Sequence, residues 1–271
     1  MTFSIVARSA DGESWGVAVA SKFLAVGSVV PAAVAGIGAV ATQAEANVAY
    51  KGLALAHLDE GATAGVALLR LLEEDDLREH RQVGIVDCDG NAATHTGALC
   101  HDWAGGVQDT DVAIQGNILA GPQVVEAMKT DWDGSYDEPN LARRLLRALQ
   151  AGDRAGGDRR GRESAALLVV RDGAGYGGGD DVAVDLRVDD HTDPCTELER
   201  LLDLNDLYLT ASTDAEKVPR TAELDAELDE RARALGARDF QAWVDAENYE
   251  MRVGADFVDE KVLAILRNAA G

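Results

Sequence analysis

Cysteine is too sparse and too scattered in this chain to build anything. Cys88, Cys100 and Cys195 lie far apart with no C-x-x-C pair, which fits neither a disulfide framework nor a zinc site. Long apolar runs are missing as well. The most apolar stretch, Phe23 to Ala44, is rich in Gly and Ala and carries Pro31, without the Leu and Ile density of a lipid-facing helix. No basic n-region or apolar h-region opens the chain, so a cytoplasmic protein with no leader, no membrane contact, no metal and no cofactor is expected. Lysine is the scarcest charge: five of the 25 basic residues, against 48 acidic ones, for a formal charge of −23. A field of that sign repels nucleic acid and anionic surfaces, which excludes both as partners. Acidity spread along the whole length, with Arg favoured over Lys, resembles proteins of halophilic organisms. In molar salt a Debye length of ~3 Å makes such self-repulsion tolerable.

The 271 residues can bury a full core and hold one large domain, or one domain and a small appendage. Four β-like runs open the chain, Phe3 to Ala7, Trp15 to Ala20, Val26 to Val34 and Ile37 to Gln43, separated by Gly, Asp or Ser. Two helices are expected next. "NVAYKGLALAHLDEG" has Asn47 as a cap, and "TAGVALLRLLEEDD" puts Val66, Leu69 and Leu72 on one face. "RQVGIVDCDGNAATHTG" reads as a hairpin turning at Asp89-Gly90 or Gly90-Asn91. A strand "VAIQGNIL", helices from "GPQVVEAMKTDW" and "NLARRLLRALQAG", a hairpin over 164–188 and a helix from Asp193 to Leu209 follow. Grouped strands and grouped helices suit antiparallel sheets flanked by helices, an α+β fold. Residues 1–210 are expected to form that domain, and 211–271 a small helical appendage. "GAGYGG" at 173–178 matches a dinucleotide fingerprint, but a strand-like run follows it where a helix is needed.

"TFSIVAR", "GVAVASKFLAVGSVVP", "GAVATQAEAN", "REHRQVGIVD", "THTG", "QGNILAGPQVVEAM", "GDRRGRESAALLVV" and "VDLRVDDH" occur in this order between Thr2 and Asp206. Together they resemble the bacterial and archaeal family of domain of unknown function 1028, which is placed among the N-terminal nucleophile (Ntn) hydrolases, proteasome-β-like in fold. The resemblance implies a four-layer αββα sandwich of two antiparallel sheets. It also implies an amidohydrolase acting on a small amide, of which a carboxylate-bearing one is a variant, and a homo-oligomer. The family's tail is sometimes peptidoglycan-binding-like. Proteasome-like shells also include inert subunits, so a non-catalytic assembly protein is the alternative.

With Met1 removed, Thr2 carries a hydroxyl nucleophile and, on the same residue, an α-amine of pKa ~7.7–8.0 that can serve as its base. Ser21 and Lys22, in "ASKFLAVGS", follow the second strand where they can hydrogen-bond the amine and tune the hydroxyl. Lys22 is equally a surface charge at a strand end. No Asp follows that strand and no lysine matches the proteasome's activating one. Asn117 of "QGN" is an oxyanion candidate, because a neutral amide stabilises a developing anion without titrating; it is otherwise a turn residue. Gln43 and Asn47 have the same chemistry. Arg159, Arg160 and Arg162 cluster within four residues of an acidic chain. They are placed to grip a substrate carboxylate, or else to pair with Asp153 and Asp158. His95 is either a substrate contact or a satisfied structural histidine.

Overall fold

A computed structural model describes residues 2–269. The chain forms two compact units, Met1–Arg200 and Leu201–Gly271. The first is a mixed α+β unit in which every strand pairing is antiparallel. Its strands are β1 (Thr2–Arg8), β2 (Ser14–Ser21), β3 (Pro31–Val34), β4 (Gly38–Ala44), β5 (Arg81–Asp87), β6 (Ala92–Thr96), β7 (Gly105–Asp109), β8 (Val112–Asn117), β9 (Ser164–Arg171) and β10 (Val182–Val188). They form a six-stranded sheet in the order β10-β9-β2-β1-β8-β7 and a four-stranded sheet β3-β4-β5-β6. Its helices are α1 (Val26–Val29), α2 (Ala49–Asp59), α3 (Ala64–Glu73), α4 (Gln123–Gly134) and α5 (Leu141–Arg154), and α6 (Pro194–Tyr208) begins in this unit and ends in the second.

Side chains alternate across each strand, so one face of each sheet meets the other. Val6, Val17 and Ala113 of the larger sheet and Ala39, Ala41 and Val86 of the smaller share one buried cluster. The Trp15 indole N–H crosses between the sheets to the Asp87 carbonyl at 3.1 Å. On the opposite face of the four-stranded sheet, Val40, Val83 and Ile85 pack with Leu58, Leu68 and Leu71 of α2 and α3. On the opposite face of the six-stranded sheet lies α5. A Cβ on Gly16 would come 2.7 Å from the Leu145 side chain, and one on Gly152 would lie 3.4 Å from the Phe3 ring. The absence of a side chain at Gly16 lets α5 lie close against β2, whereas at Gly152 the tight neighbour of an added Cβ would be Met128 of α4, at 2.6 Å, so that glycine serves the packing of α4 on α5.

Several local expectations change. The run from Val26 to Val34 is not one strand: Ala25 enters the left-handed region (φ 53°), and Val26–Val29 makes a helical turn before β3 begins. The Ser164 hydroxyl takes the Val26 N–H at 3.0 Å, and a Cβ on Gly27 would strike Ala166 at 2.5 Å, so the turn is seated on β9. Strand β7 was hidden by its paired glycines and polar residues. The 81–96 hairpin has a longer turn than two residues, since Asp87 N–H still reaches Asn91 O, with Gly90 at φ 84°. In α3 the face carrying Val66 and Leu69 points outward; Ala64, Ala67, Leu68 and Leu71 are the buried set. The "GAGYGG" run lies in the loop joining antiparallel β9 and β10.

The second unit contains β11 (Lys217–Pro219), α7 (Ala222–Ala234), α8 (Phe240–Glu247), β12 (Phe257–Asp259) and α9 (Glu260–Ala269). Leu228, Phe240, Trp243, Val262 and Leu266 form its core, with Leu207 and Tyr208 packed against it. Buried Arg252 is paired with Asp259 at 2.9 Å and Glu216 at 3.2 Å, and the Ser212 hydroxyl donates to Asp259 at 2.6 Å. Partnering of this kind is what makes a buried charge tolerable.

The reversed face of α3 gives a direct check by denaturant unfolding. Leu71→Ala, at a position 2% exposed, should cost ~2–5 kcal/mol, whereas Leu69→Ala, at 61% exposed, should change stability by no more than ~0.5 kcal/mol.

Candidate functional site

Thr2 begins β1, a central strand of the six-stranded sheet, with Ser21 ending β2 on one side and Asn117 ending β8 on the other. Because Thr2 pairs with Asn117, and Phe3 with Ala20, the side chains of Thr2, Ser21 and Asn117 share the face turned to the other sheet. The Thr2 Oγ1 lies 3.2 Å from the Ser21 Oγ, and the Asn117 Nδ2 is 3.5 Å from the Thr2 carbonyl oxygen. All three residues are buried.

Across from them the smaller sheet contributes Gln43 and its pairing partner Gln82. Gln82 is the hub. Its Oε1 accepts from Gln43 Nε2 at 2.8 Å and from Asn117 Nδ2 at 2.9 Å, while its Nε2 donates to Gly116 O at 2.8 Å and Thr96 Oγ1 at 2.9 Å. Gln43 Nε2 also reaches Thr2 O and Gln115 O, each at 3.3 Å. One layer deeper, the Ser4 hydroxyl donates to Gln43 Oε1 at 2.8 Å and accepts from Gln115 Nε2 at 2.7 Å. A Cβ on Gly84 would sit 2.1 Å from Gln115 Oε1, so only glycine leaves room for that amide. The space between the sheets is therefore apolar around Val6 and a hydrogen-bonded amide network around Thr2 and Ser4. Buried amides without partners would cost several kcal/mol; here their protons are accounted for.

After Asn117 the chain turns through Ile118, a β-branched residue at φ 51°. That conformation costs of order 1–3 kcal/mol and persists only where surrounding contacts enforce it. Ile118 N–H bonds His101 O at 2.9 Å, and Arg159 N–H bonds Ile118 O at 3.3 Å. The neighbouring Asp158, also buried, closes the rim: its carboxylate accepts from Lys22 N–H and from Arg160 N–H, both at 2.7 Å. The loops after β2, after β8 and before β9 are thus fastened together beside Thr2.

Residues 2–198 match the family of unknown function DUF1028. The chain belongs to this family. The crystal structure of the DUF1028 protein SPO2555 from Silicibacter pomeroyi is similar at a TM-score of 0.68 and 31% identity, over 79% of this chain and 90% of that one. A Gly-1 mutant of Anbu from Hyphomicrobium sp. strain MC1 is matched at a TM-score of 0.35 and 11% identity, over 75% of this chain and 94% of that one, a likeness too slight to bear on fold or activity. No curated protein matches the chain.

Within this DUF1028 unit several candidate residues have other work than touching a substrate. Gln43 is buried and its amide is spent on the network and on Thr2's carbonyl. Asn47 donates to Asp75 at 3.3 Å and accepts from Ala49 N–H at 3.2 Å, which makes it a local brace for the start of α2. That Asp75 carboxyl is held well below the usual range, chiefly by the hydrogen bond from Arg81. His95 is tied through Nε2 to the Arg78 carbonyl at 3.0 Å. Lys22 pairs with Glu163 at 3.2 Å. Of the three arginines, Arg162 is bound to Asp153 at 2.8 Å, a hydrogen bond that raises its already high pKa, and Arg160 reaches Asp158 at 3.4 Å and Lys22 O at 3.1 Å. Arg159 is different: it is exposed, and among the described residues its guanidinium makes no hydrogen bond or ion pair. Asn117 stands beside Thr2, but one amide proton belongs to Gln82; only the weak 3.5 Å contact to Thr2 O leaves the other free to turn. Among the described residues no group of three or more His, Cys, Asp or Glu is placed to hold a metal ion.

Gln82, Gln115, Ser4 and Asp158 were not anticipated as site residues. A signal for the glutamines existed: each falls in a strand at the alternation phase that points inward, where an apolar residue is the norm. Gln82→Leu should cost ~1–3 kcal/mol for each amide it orphans, read as a lowered midpoint in urea. A loss below ~0.5 kcal/mol would show that the network does not hold this end of the unit together.

Proposed function

We propose that the first unit is an Ntn-type amidohydrolase with Thr2 as its nucleophile, and that the sheet and helix contacts described above amount to a four-layer αββα sandwich. The observation that carries the reading is the position of Thr2. Its hydroxyl is set against Ser21 at 3.2 Å, while its carbonyl is held by Gln43 at 3.3 Å, at the start of a strand fixed on both sides. Removal of Met1, which lies outside the described residues, gives Thr2 a free amine. That amine takes the hydroxyl proton as Oγ1 attacks the carbonyl carbon of a small amide. Ser21 orients the hydroxyl, and the second Asn117 amide proton turns from Thr2 O to the developing oxyanion. Collapse breaks the C–N bond, the departing nitrogen takes the proton, and water then cleaves the acyl ester on Thr2 with the amine again as base.

Arg159 supports an amide that carries a carboxylate. Its backbone is anchored to Ile118, next to Asn117, and among the described residues its fork of donors has no partner. A second reading, a non-catalytic assembly protein, is favoured by the burial of Thr2, 5% exposed, and by the commitment of Asn117 to the network.

Thr2→Ala should lower hydrolysis of an amide panel by ~10³-fold or more while leaving the fold intact, and equal rates for both proteins would end the enzyme reading. The wild-type kcat/KM should rise with pH through the ionisation of the amine near ~7.7–8.0, because only the neutral amine accepts the proton. Arg159→Ala should raise KM about tenfold for carboxylate-bearing amides and leave neutral ones unchanged. An equal loss on both classes would remove Arg159 from recognition.

A further inference from the structure

The other end of β1 carries a second polar site. Arg8, its last residue, lines a cleft of about 320 Å³ together with Asp109, Asp111, Trp132, Asp133, Tyr136 and Arg144. Seven residues of extended chain put it on the order of 20 Å from Thr2.

Arg144 is the unusual member. It is 4% exposed, its guanidinium carbon stacks 3.8 Å from the Trp132 ring centroid, and its Nη2 donates to the Trp132 carbonyl at 3.1 Å. Its second hydrogen bond, from Nε to the Ser135 hydroxyl, is long at 3.5 Å, and the Tyr136 ring centroid lies 5.8 Å from the guanidinium carbon. Among the described residues Arg144 makes no ion pair. The other buried arginine, Arg252, has two carboxylates within 3.2 Å. A guanidinium removed from water with only neutral hydrogen-bond acceptors is costly: burial pulls its pKa down, against the weaker through-space attraction of Asp111, Glu138 and Asp133. The Arg8 Nε beside it is also buried without a partner.

The carboxylates of the cleft are distributed differently. Asp111 is taken by Arg8 at 3.2 Å, whereas Asp109 and Asp133, both well exposed, converge on the single ammonium of Lys129 at 3.3 and 2.7 Å. The cleft therefore combines one unpaired cation on its wall with a surplus of negative charge at its rim. A di- or trianion would be repelled by that rim and by the chain's overall charge. A ligand with one carboxylate and one ammonium satisfies both parts.

We propose that this cleft binds a zwitterionic α-amino acid, its carboxylate on Arg144 and its ammonium on Asp109 and Asp133. The site is independent of the chemistry assigned to Thr2. It requires no substitution there.

The full chain, labelled with ¹⁵N, is titrated with the twenty free amino acids, with their N-acetyl and amide derivatives, and with inorganic phosphate. Affinity is read by calorimetry, and the Trp132 indole resonance, assigned through Trp132→Phe, serves as the local reporter. At least one free amino acid should bind with a Kd below roughly 1 mM and shift that resonance, with both blocked derivatives and phosphate at least about tenfold weaker. Arg144→Met should abolish the response, and Asp133→Asn should weaken the free amino acid but not its N-acetyl form. If Arg144→Met does not fold, the wild-type panel and Asp133→Asn decide the matter. The assignment is overturned if no free amino acid binds, if N-acetyl forms bind equally well, or if binding leaves the Trp132 resonance unmoved.

Discussion

The carboxamide of Gln82 sits between the two sheets of the first unit, and the candidate site depends on it. One oxygen accepts from Gln43 and Asn117, one from each sheet, while the nitrogen donates to the Gly116 carbonyl and the Thr96 hydroxyl. Gln43 in turn holds the Thr2 carbonyl. A packed apolar layer would join two sheets more cheaply than amides do, because every buried amide must be matched with acceptors of the right geometry. The two materials divide the labour along β1: the valines and alanines around Val6 supply burial, and the amides around Thr2 supply position. Directional bonds fix a backbone in a way that hydrophobic contact, which is non-directional, does not.

Strain and closure follow from the same placement. Ile118 is kept in the left-handed region at the edge of the site, and the buried Asp158 carboxylate gathers the backbone of Lys22 and Arg160 around it. Loops fastened on a rigid scaffold are where recognition groups can be both exposed and well placed. Arg159 is exposed on such a loop and, among the described residues, its guanidinium has no partner, while Arg160 and Arg162 are engaged by acids.

Strand and helix order could be read from the sequence because alternation and apolar periodicity are local signals. The antiparallel α+β character followed from the grouping of elements. Failures came where long-range packing overrode local pattern. The Val26 turn is set by Ser164 and Ala166, far along the chain, and the inward face of α3 is chosen by the sheet it meets rather than by the size of Val66 and Leu69. The site divides in the same way. Thr2, Ser21 and Asn117 were legible as strand ends and do converge. Gln43 was noticed for its chemistry, but its role is to hold Thr2, and Gln82 and Gln115 show their purpose only when one sheet is laid on the other. Asn47 and His95 serve local backbone groups that no periodicity reveals.

A nucleophile that is also its own base has one chemical requirement, a free amine on Thr2. N-terminal sequencing of the purified protein, together with its intact mass, tests this most directly. The account predicts a chain that starts at Thr2, lighter by one methionine residue. A population that uniformly retains Met1 would block the amine and contradict it.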